Sequence, residues 1–299
     1  MSGITLLDGA VGQELVNRAG DPPTPLWSTQ TMIDHPDLLR EVHDAYFAAG
    51  ATVATTNSYT ILQNRLQHAG LQGQMAPLME MAVTAARTAR DVAGHGRIAG
   101  AIGPLLASYR PDICPPPDKA ENLYERPMRL LGEHGVDLLL LETMASTPQA
   151  EGALRAASRT GLTVWLAVTV QDEDGTRLRS GEALNGLAPL IERFRPDAVL
   201  INCTRPEAVA PALDILKTFD RPFGAYANGF TAITQAFLQD GATVDALSAR
   251  TDLTPAAYAD FALEWVAQGA SIVGGCCEIG PDHIAELASR LHAAGHTLT

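Results

Sequence analysis

The chain has 299 residues, 46% hydrophobic and 18% charged, with 34 acidic against 21 basic side chains and a net charge of -13. That is ample material for a large core, while the negative sign opposes neutralisation of a phosphate backbone and argues against nucleic acid as a partner. No apolar run approaches the roughly 20 residues a membrane helix needs, and the opening residues lack a signal peptide's basic and apolar regions, so a cytoplasmic protein is expected, with no membrane partner.

Taken in chain order, short runs of apolar and β-branched residues alternate with helical patterns: ITLLD (4–8), TVATTN (52–57), RIAGAIG (97–103), DLLLLET (137–143), TVWLAVTV (163–170), AVLINC (198–203), FGAYAN (223–228) and SIVGGCC (271–277). Their ends lie 25 to 49 residues apart, room for a crossover helix each time, and continuous apolar strands suit a parallel sheet covered on both faces. Between the first two strands, Leu38, Leu39, Val42, Ala45, Tyr46 and Ala49 form one helical stripe that Gly50 is placed to end. Prolines 148, 206, 255 and 281 mark helix starts, where a missing N–H costs nothing. Eight β/α units without a composition break, a G-x-G-x-x-G or a P-loop predict a single-domain α/β protein over 1–299, a (β/α)8 TIM barrel. The Pro-rich stretch at about 105–122 reads as a loop insertion after the third strand, placed to act as a lid.

In such a barrel the active site lies at the C-terminal strand ends. Those ends carry Asp8-Gly9, Asn57-Ser58-Tyr59, Glu142-Thr143, Asn202-Cys203, Tyr226-Ala227-Asn228 and Cys276-Cys277. Four cysteines are too few for a disulfide framework in a chain this long, so their meaning is local chemistry. Closure would bring Cys203 within one strand of Cys276 and Cys277, giving a soft three-thiolate site of the kind Zn2+ favours, with a fourth position open for catalysis. Three alternatives stand beside it: inert buried thiols, a vicinal disulfide between Cys276 and Cys277, and a structural zinc that also recruits Cys114.

The ordered motifs LLDGAVGQEL, TNSY, GPLLASYRPD, LLLLETM, INCT, YANG and GGCCEIGPDHI span almost the whole chain. Together they resemble the zinc-dependent homocysteine S-methyltransferase family, which includes S-methylmethionine- and betaine-dependent enzymes and the homocysteine domain of methionine synthase. The resemblance implies a barrel with zinc on Cys203, Cys276 and Cys277, those cysteines and Glu142 serving as the catalytic groups. It also implies that Asp8, Gly9, Glu142 and Thr143 hold the amino acid part of homocysteine. Tyr59 matches a donor-side tyrosine, and Asn228 falls in a Pro-Asn-x-Gly-like motif whose proline is replaced here by Ala227. Where several relatives continue with Thr-Thr-Pro, this chain has Glu278-Ile279-Gly280-Pro281, which places a carboxylate beside the thiols.

The implied reaction is methyl transfer to the homocysteine thiol, giving methionine. A thiol of pKa near ~8.5 is mostly protonated at neutral pH, and metal binding would expel its proton. A methyl group leaves readily from a positive centre, so the donor expected is an onium compound, S-methylmethionine first, held by aromatic rings, Tyr59 foremost, with Trp27 and Tyr109 weaker candidates and Tyr226 read as packing. Other readings keep the chemistry but change the donor to a betaine-like, other sulfonium or methyl-folate compound, or change the acceptor thiol. A non-enzymatic barrel with a structural zinc or a redox switch is the remaining one. The expected partners are small-molecule substrates, and the expected assembly is a monomer or small homo-oligomer.

Overall fold

A computed structural model describes residues 3–21, 24, 26–239 and 246–299. Strand β1 (Gly3–Leu6) leads into helices α1 (Val11–Ala19), α2 (Ser28–Asp34) and α3 (Pro36–Ala48), and β2 (Val53–Thr55) into α4 (Gln63–His68) and α5 (Met75–Ala93). Then follow β3 (Arg97–Ile102), α6 (Pro117–Glu133), β4 (Leu138–Met144), α7 (Thr147–Ala157), β5 (Thr163–Val168), α8 (Ala188–Phe194), β6 (Ala198–Asn202) and α9 (Val209–Leu216). The chain finishes with β7 (Phe223–Tyr226), α10 (Pro255–Ala267), β8 (Ile272–Val273), α11 (Pro281–Ala293) and β9 (Thr297–Leu298). Among the described residues no helix is long and apolar enough to cross a membrane.

All strand pairs are parallel, in the order β2-β3-β4-β5-β6-β7-β8-β1-β9. The eight expected strands are therefore present in one curled sheet, with β9 as an unexpected ninth. The ladder does not run round a complete barrel. Between β1 and β2 there is only a bridge from Leu7 to Val53, backed by hydrogen bonds from Thr52 N to Leu6 O and from Asp8 N to Val53 O. Two local causes are visible. The Thr52 hydroxyl accepts from Leu6 N–H, taking a ladder bond for itself, and β9 pairs with the lower half of β1.

Strand alternation sorts the apolar residues into two layers. Leu138 and Leu140 of β4, Trp165 and Ala167 of β5, Ala198 and Leu200 of β6, and Tyr226 of β7 fill the inside of the curl. Their neighbours Leu139, Leu141, Leu166, Val199 and Ile201 pack outward with the helices. Glu142 continues the inward row of β4, so the alternation itself carries a carboxylate to the rim.

The Pro-rich stretch is shorter than the sequence predicts. Pro111–Ile113 forms a 3-10 turn, and α6 already begins at Pro117, because proline in a first helical turn loses no hydrogen bond. A second long connection, 227–254, has no α-helix among its described residues and went unremarked in the sequence. The two loops meet: the rings of Tyr109 and Phe237 are edge-to-face at 6.0 Å, and Arg110 Nη1 donates to Leu238 O at 2.7 Å.

Candidate active site

A cavity of about 190 Å3 opens at the C-terminal ends of the strands. Asp8, Gly9, Trp27, Tyr59, Glu142, Thr143, Cys203, Cys276 and Cys277 all line it. Asn228 does not. Strand β7 ends at Tyr226, two residues short of the sequence reading, so alternation no longer governs position 228. Its buried side chain accepts from Phe230 N–H at 3.2 Å, a turn-forming contact.

The three thiols gather here. The ligand atoms of Cys203, Cys276 and Cys277 lie within 4.8 Å of one another, a cluster that could hold a metal ion. Four ligands about one zinc at ~2.3 Å stand roughly 3.8 Å apart, and the Cys276 and Cys277 sulfurs are 4.0 Å apart. Cys203 and Cys276 make the direct sulfur contact, so the pairing suggested for the adjacent cysteines is not the one formed. Cys114 stays outside the cluster, its thiol donating to Pro115 O. A structural site built on all four cysteines is thereby set aside.

Alternation alone would not deliver these groups. Asn202 follows Leu200 on the inward row of β6, which directs Cys203 outward, yet Cys203 lines the cavity. Its φ of 49° turns the chain and redirects the side chain. Thr143, one residue past the inward Glu142, does the same at φ 60°. Such conformations cost on the order of 1–3 kcal/mol for residues other than glycine, and the surroundings hold them. Cys203 O accepts from Thr169 Oγ1 at 3.1 Å and from Tyr109 Oη and Arg179 Nη2 at 3.4 Å. Asn202 and Thr143 bond reciprocally, Thr143 N donating to Oδ1 and Nδ2 donating to Thr143 Oγ1, each at 2.9 Å.

The turn after β8 is set by close backbone approach. A Cβ on Gly274 would collide with Leu7 just after β1, and one on Gly275 with Ile279 of the following turn, so both positions take glycine. Gly275 N–H then donates to Asp8 O, and Cys276 N–H to Ala227 O, both at 2.9 Å. The buried Tyr258 hydroxyl donates to Gly274 O at 2.6 Å and accepts from Ala227 N–H at 3.1 Å, joining the ends of β7 and β8. Glu278 leaves the turn at φ 67° and lines an outer cleft with Glu14 and Asp282, apart from the cavity.

Two carboxyls face the cavity in unusual states. Asp8 is 2% exposed and accepts from Thr55 N–H at 2.6 Å and Thr55 Oγ1 at 2.7 Å. It does not cap α1, whose N-cap is Ala10 without a side-chain bond. Burial drives its pKa up to about 8, against the lowering effect of Thr55 and with a further push from Glu142. Glu142 is raised to about 7, also by burial, with the Tyr226 hydroxyl donating to Oε1 at 3.0 Å and opposing the rise. Burial likewise pushes the Cys277 thiol up to about 12, with Glu278 and Glu142 adding to it. Each group favours its neutral form until a cation arrives. Tyr226, read in the sequence as packing, is thus a partner of Glu142 across 84 residues. Its inward position after Gly224 was the available signal.

The aromatic wall is made by Trp27 at φ 48°, Tyr59, Tyr109 at φ 60°, Phe230 and Phe237. Tyr59 Oη is within 2.7 Å of Ser108 Oγ, which links β2 to the loop after β3. Phe230, Phe237 and Leu247 come from the connection after β7, and no motif announced them.

Comparison with known proteins agrees with this arrangement. A family model described as homocysteine S-methyltransferase matches residues 5–291. The homocysteine S-methyltransferase of Escherichia coli K12 is 31% identical, over 96% of this chain and 95% of its own length. The Bacillus subtilis homocysteine S-methyltransferase YbgG is 28% identical, over 96% and 94%. Among solved structures, the metallated form of the homocysteine methyltransferase MmuM from Escherichia coli superposes with a TM-score of 0.81 at 28% identity, covering 97% of this chain and 96% of that one. A non-enzymatic barrel is set aside by these matches: the chain belongs to the homocysteine S-methyltransferase family, a family of methyltransferase enzymes.

Proposed function

We propose that the protein transfers a methyl group from an onium donor, S-methylmethionine first, to the thiol of homocysteine, giving methionine, with Zn2+ held by Cys203, Cys276 and Cys277. The observation that carries this reading is three cysteine sulfurs within 4.8 Å on a cavity that also presents Asp8 and Glu142. The all-sulfur donor set fits zinc, since soft thiolates select it and three protein ligands leave one position for the acceptor. When bound, zinc supplies the charge that removes the acceptor thiol's proton while leaving the sulfur nucleophilic.

The remaining work falls to the chain. Glu142 gives up its proton to meet the substrate ammonium, and the Tyr226 hydroxyl holds the ionised oxygen in place. Asp8 adds a second carboxyl while tying β1 to β2 through Thr55. The α1 N-terminus, reached through Gly9 and Gly12 in the cavity wall, suits the substrate carboxylate. Tyr59, Trp27 and Tyr109 offer ring faces to the donor cation and keep water out. As the new sulfur–methyl bond forms, the donor's carbon–sulfur bond breaks, and the sulfonium keeps the electron pair and becomes a neutral thioether. We also read the curled sheet as functionally a closed (β/α)8 barrel acting as one domain, supported by the hydrogen bonds that join β1 to β2. Zinc held by three thiolates suits a reducing cytoplasm.

The test is metal content together with methyl transfer to homocysteine from S-methylmethionine, betaine and methyl-folate. About one zinc per chain and turnover with a sulfonium are expected, and Cys203→Ala and Cys277→Ala should lose both, activity falling at least about 1000-fold. Active cysteine variants, or metal-replete protein that methylates no thiol, would overturn the reading.

A further inference from the structure

Two arginines stack on tyrosines of the cavity wall, and among the described residues only one of them has a counter-ion. Arg179 lies over Tyr109, Cζ 5.3 Å from the ring centroid, and is neutralised by Asp172, whose oxygens accept from Nη1 at 3.0 Å and Nη2 at 2.7 Å. Arg65 of α4 lies over Tyr59 at 5.6 Å and itself lines the cavity. Its Nη2 donates to Pro104 O at 3.2 Å and to Ser108 Oγ at 3.5 Å, and its buried Nε has no acceptor among the described residues. Beyond these two acceptors, the hydroxyls of Tyr59 and Tyr124 act on its charge, and no carboxylate among the described residues pairs with it. In a chain of net charge -13, a partly buried guanidinium with an unsatisfied Nε and no acidic partner among the described residues is an exception that suits an anion.

We infer that Arg65 binds the carboxylate of the methyl donor and so selects amino-acid-type onium donors over onium compounds lacking a carboxylate. This rests on the proposed function above. There the acceptor's ammonium is met by Asp8 and Glu142 and its carboxylate by the start of α1, which leaves Arg65 to the second substrate. A donor whose carboxylate sits at Arg65 has its cationic centre near the Tyr59 ring, the ring on which Arg65 itself rests. The guanidinium thus acts at one end of the donor, and the methyl group is presented from the other.

The experiment compares S-methylmethionine with its decarboxylated analogue, (3-aminopropyl)dimethylsulfonium, as donors to homocysteine. The wild type should favour S-methylmethionine by about 10- to 100-fold in kcat/KM, the range expected for a charge-assisted hydrogen bond. Arg65→Gln should bring that ratio close to one, and Arg65→Lys should retain part of it. Calorimetric titration of homocysteine into zinc-loaded Arg65→Gln, without donor, should give a Kd within about twofold of the wild type. A wild-type ratio near one overturns the proposal whether or not the variant folds. So does an unchanged ratio in Arg65→Gln, or a homocysteine Kd that rises by the factor the donor loses. If neither sulfonium donates a methyl group, the proposed function fails instead, and titration of S-methylmethionine into wild type and Arg65→Gln decides the role of Arg65: equal affinities reject it, a weakening of about 10-fold or more supports it.

Discussion

The two rims of the sheet use the same hydrogen bond in opposite surroundings. At the entry rim, Asp137 before β4 and Asp197 before β6 each accept from the second residue of the neighbouring strand, Ile98 N–H of β3 at 2.6 Å and Val164 N–H of β5 at 2.8 Å. Both donate their own N–H back, to Ile98 O at 2.9 Å and Val164 O at 2.7 Å. At the exit rim Asp8 accepts from Thr55 N–H at 2.6 Å in the same manner. The entry carboxylates are exposed, whereas Asp8 and Glu142 are buried and pushed up to about 8 and 7. One rim spends its carboxyls on register. The other keeps them out of water, where an ionised form is costly unless a cation is bound. Positive φ at non-glycine positions serves both rims differently: Trp27, Tyr109, Thr143 and Cys203 line the exit cavity, whereas Arg195 and Asp220 end helices at the entry rim.

The largest way to break this comparison is Glu142→Gln. It should weaken homocysteine binding by about 100-fold, measured by titration, while leaving thermal stability near pH 8 equal or higher. A loss of stability instead would place Glu142 with the register-setting carboxylates. The pH dependence comes next. Asp8 and Glu142 have folded-state pKa values above their unfolded ones, so the stability they contribute is complete below about 4 and is lost as pH rises through about 7 and 8. Denaturant unfolding of the metal-free protein should therefore show stability falling by several kcal/mol across that window, less in Glu142→Gln, and flatter with homocysteine and zinc present. A rise over the same window would contradict the burial argument. Acceptor affinity should move oppositely, tightening about tenfold per pH unit below about 7, because Glu142 must ionise to receive an ammonium.

Smaller effects sharpen the picture. Tyr226→Phe removes a bond that opposes the rise of Glu142. Its acceptor-binding profile should shift to higher pH, with affinity at pH 7 down by about 5-fold. Asp137→Asn should cost about 1 kcal/mol of stability in denaturant titration and leave acceptor binding unchanged. An effect on binding there would erase the distinction between the rims.

Much of this was legible before any coordinates. The strands announce themselves because both faces are apolar, and the GGCC turn because only glycine fits just after β8. The alternation of β4 even aims Glu142 inward. What escaped was set by departures from local rules. Cys203 and Thr143, both expected at the site, reach the cavity through positive φ at non-glycine positions, and it is that turn of the backbone which no periodicity announces. Asn228 was misplaced because β7 stops at Tyr226. The β1–β2 seam depends on one threonine side chain, and β9 has only two residues. Arg65 and Tyr226 acquire meaning only from partners on other strands and loops, or from the lack of one.

The central claim is that three protein sulfurs hold one ion with a position left for the acceptor's sulfur. X-ray absorption at the zinc edge counts those sulfurs directly, on metal-loaded protein with and without homocysteine. The account predicts three sulfur neighbours rising to four. Four before substrate is added, or a count that homocysteine leaves unchanged, would contradict it.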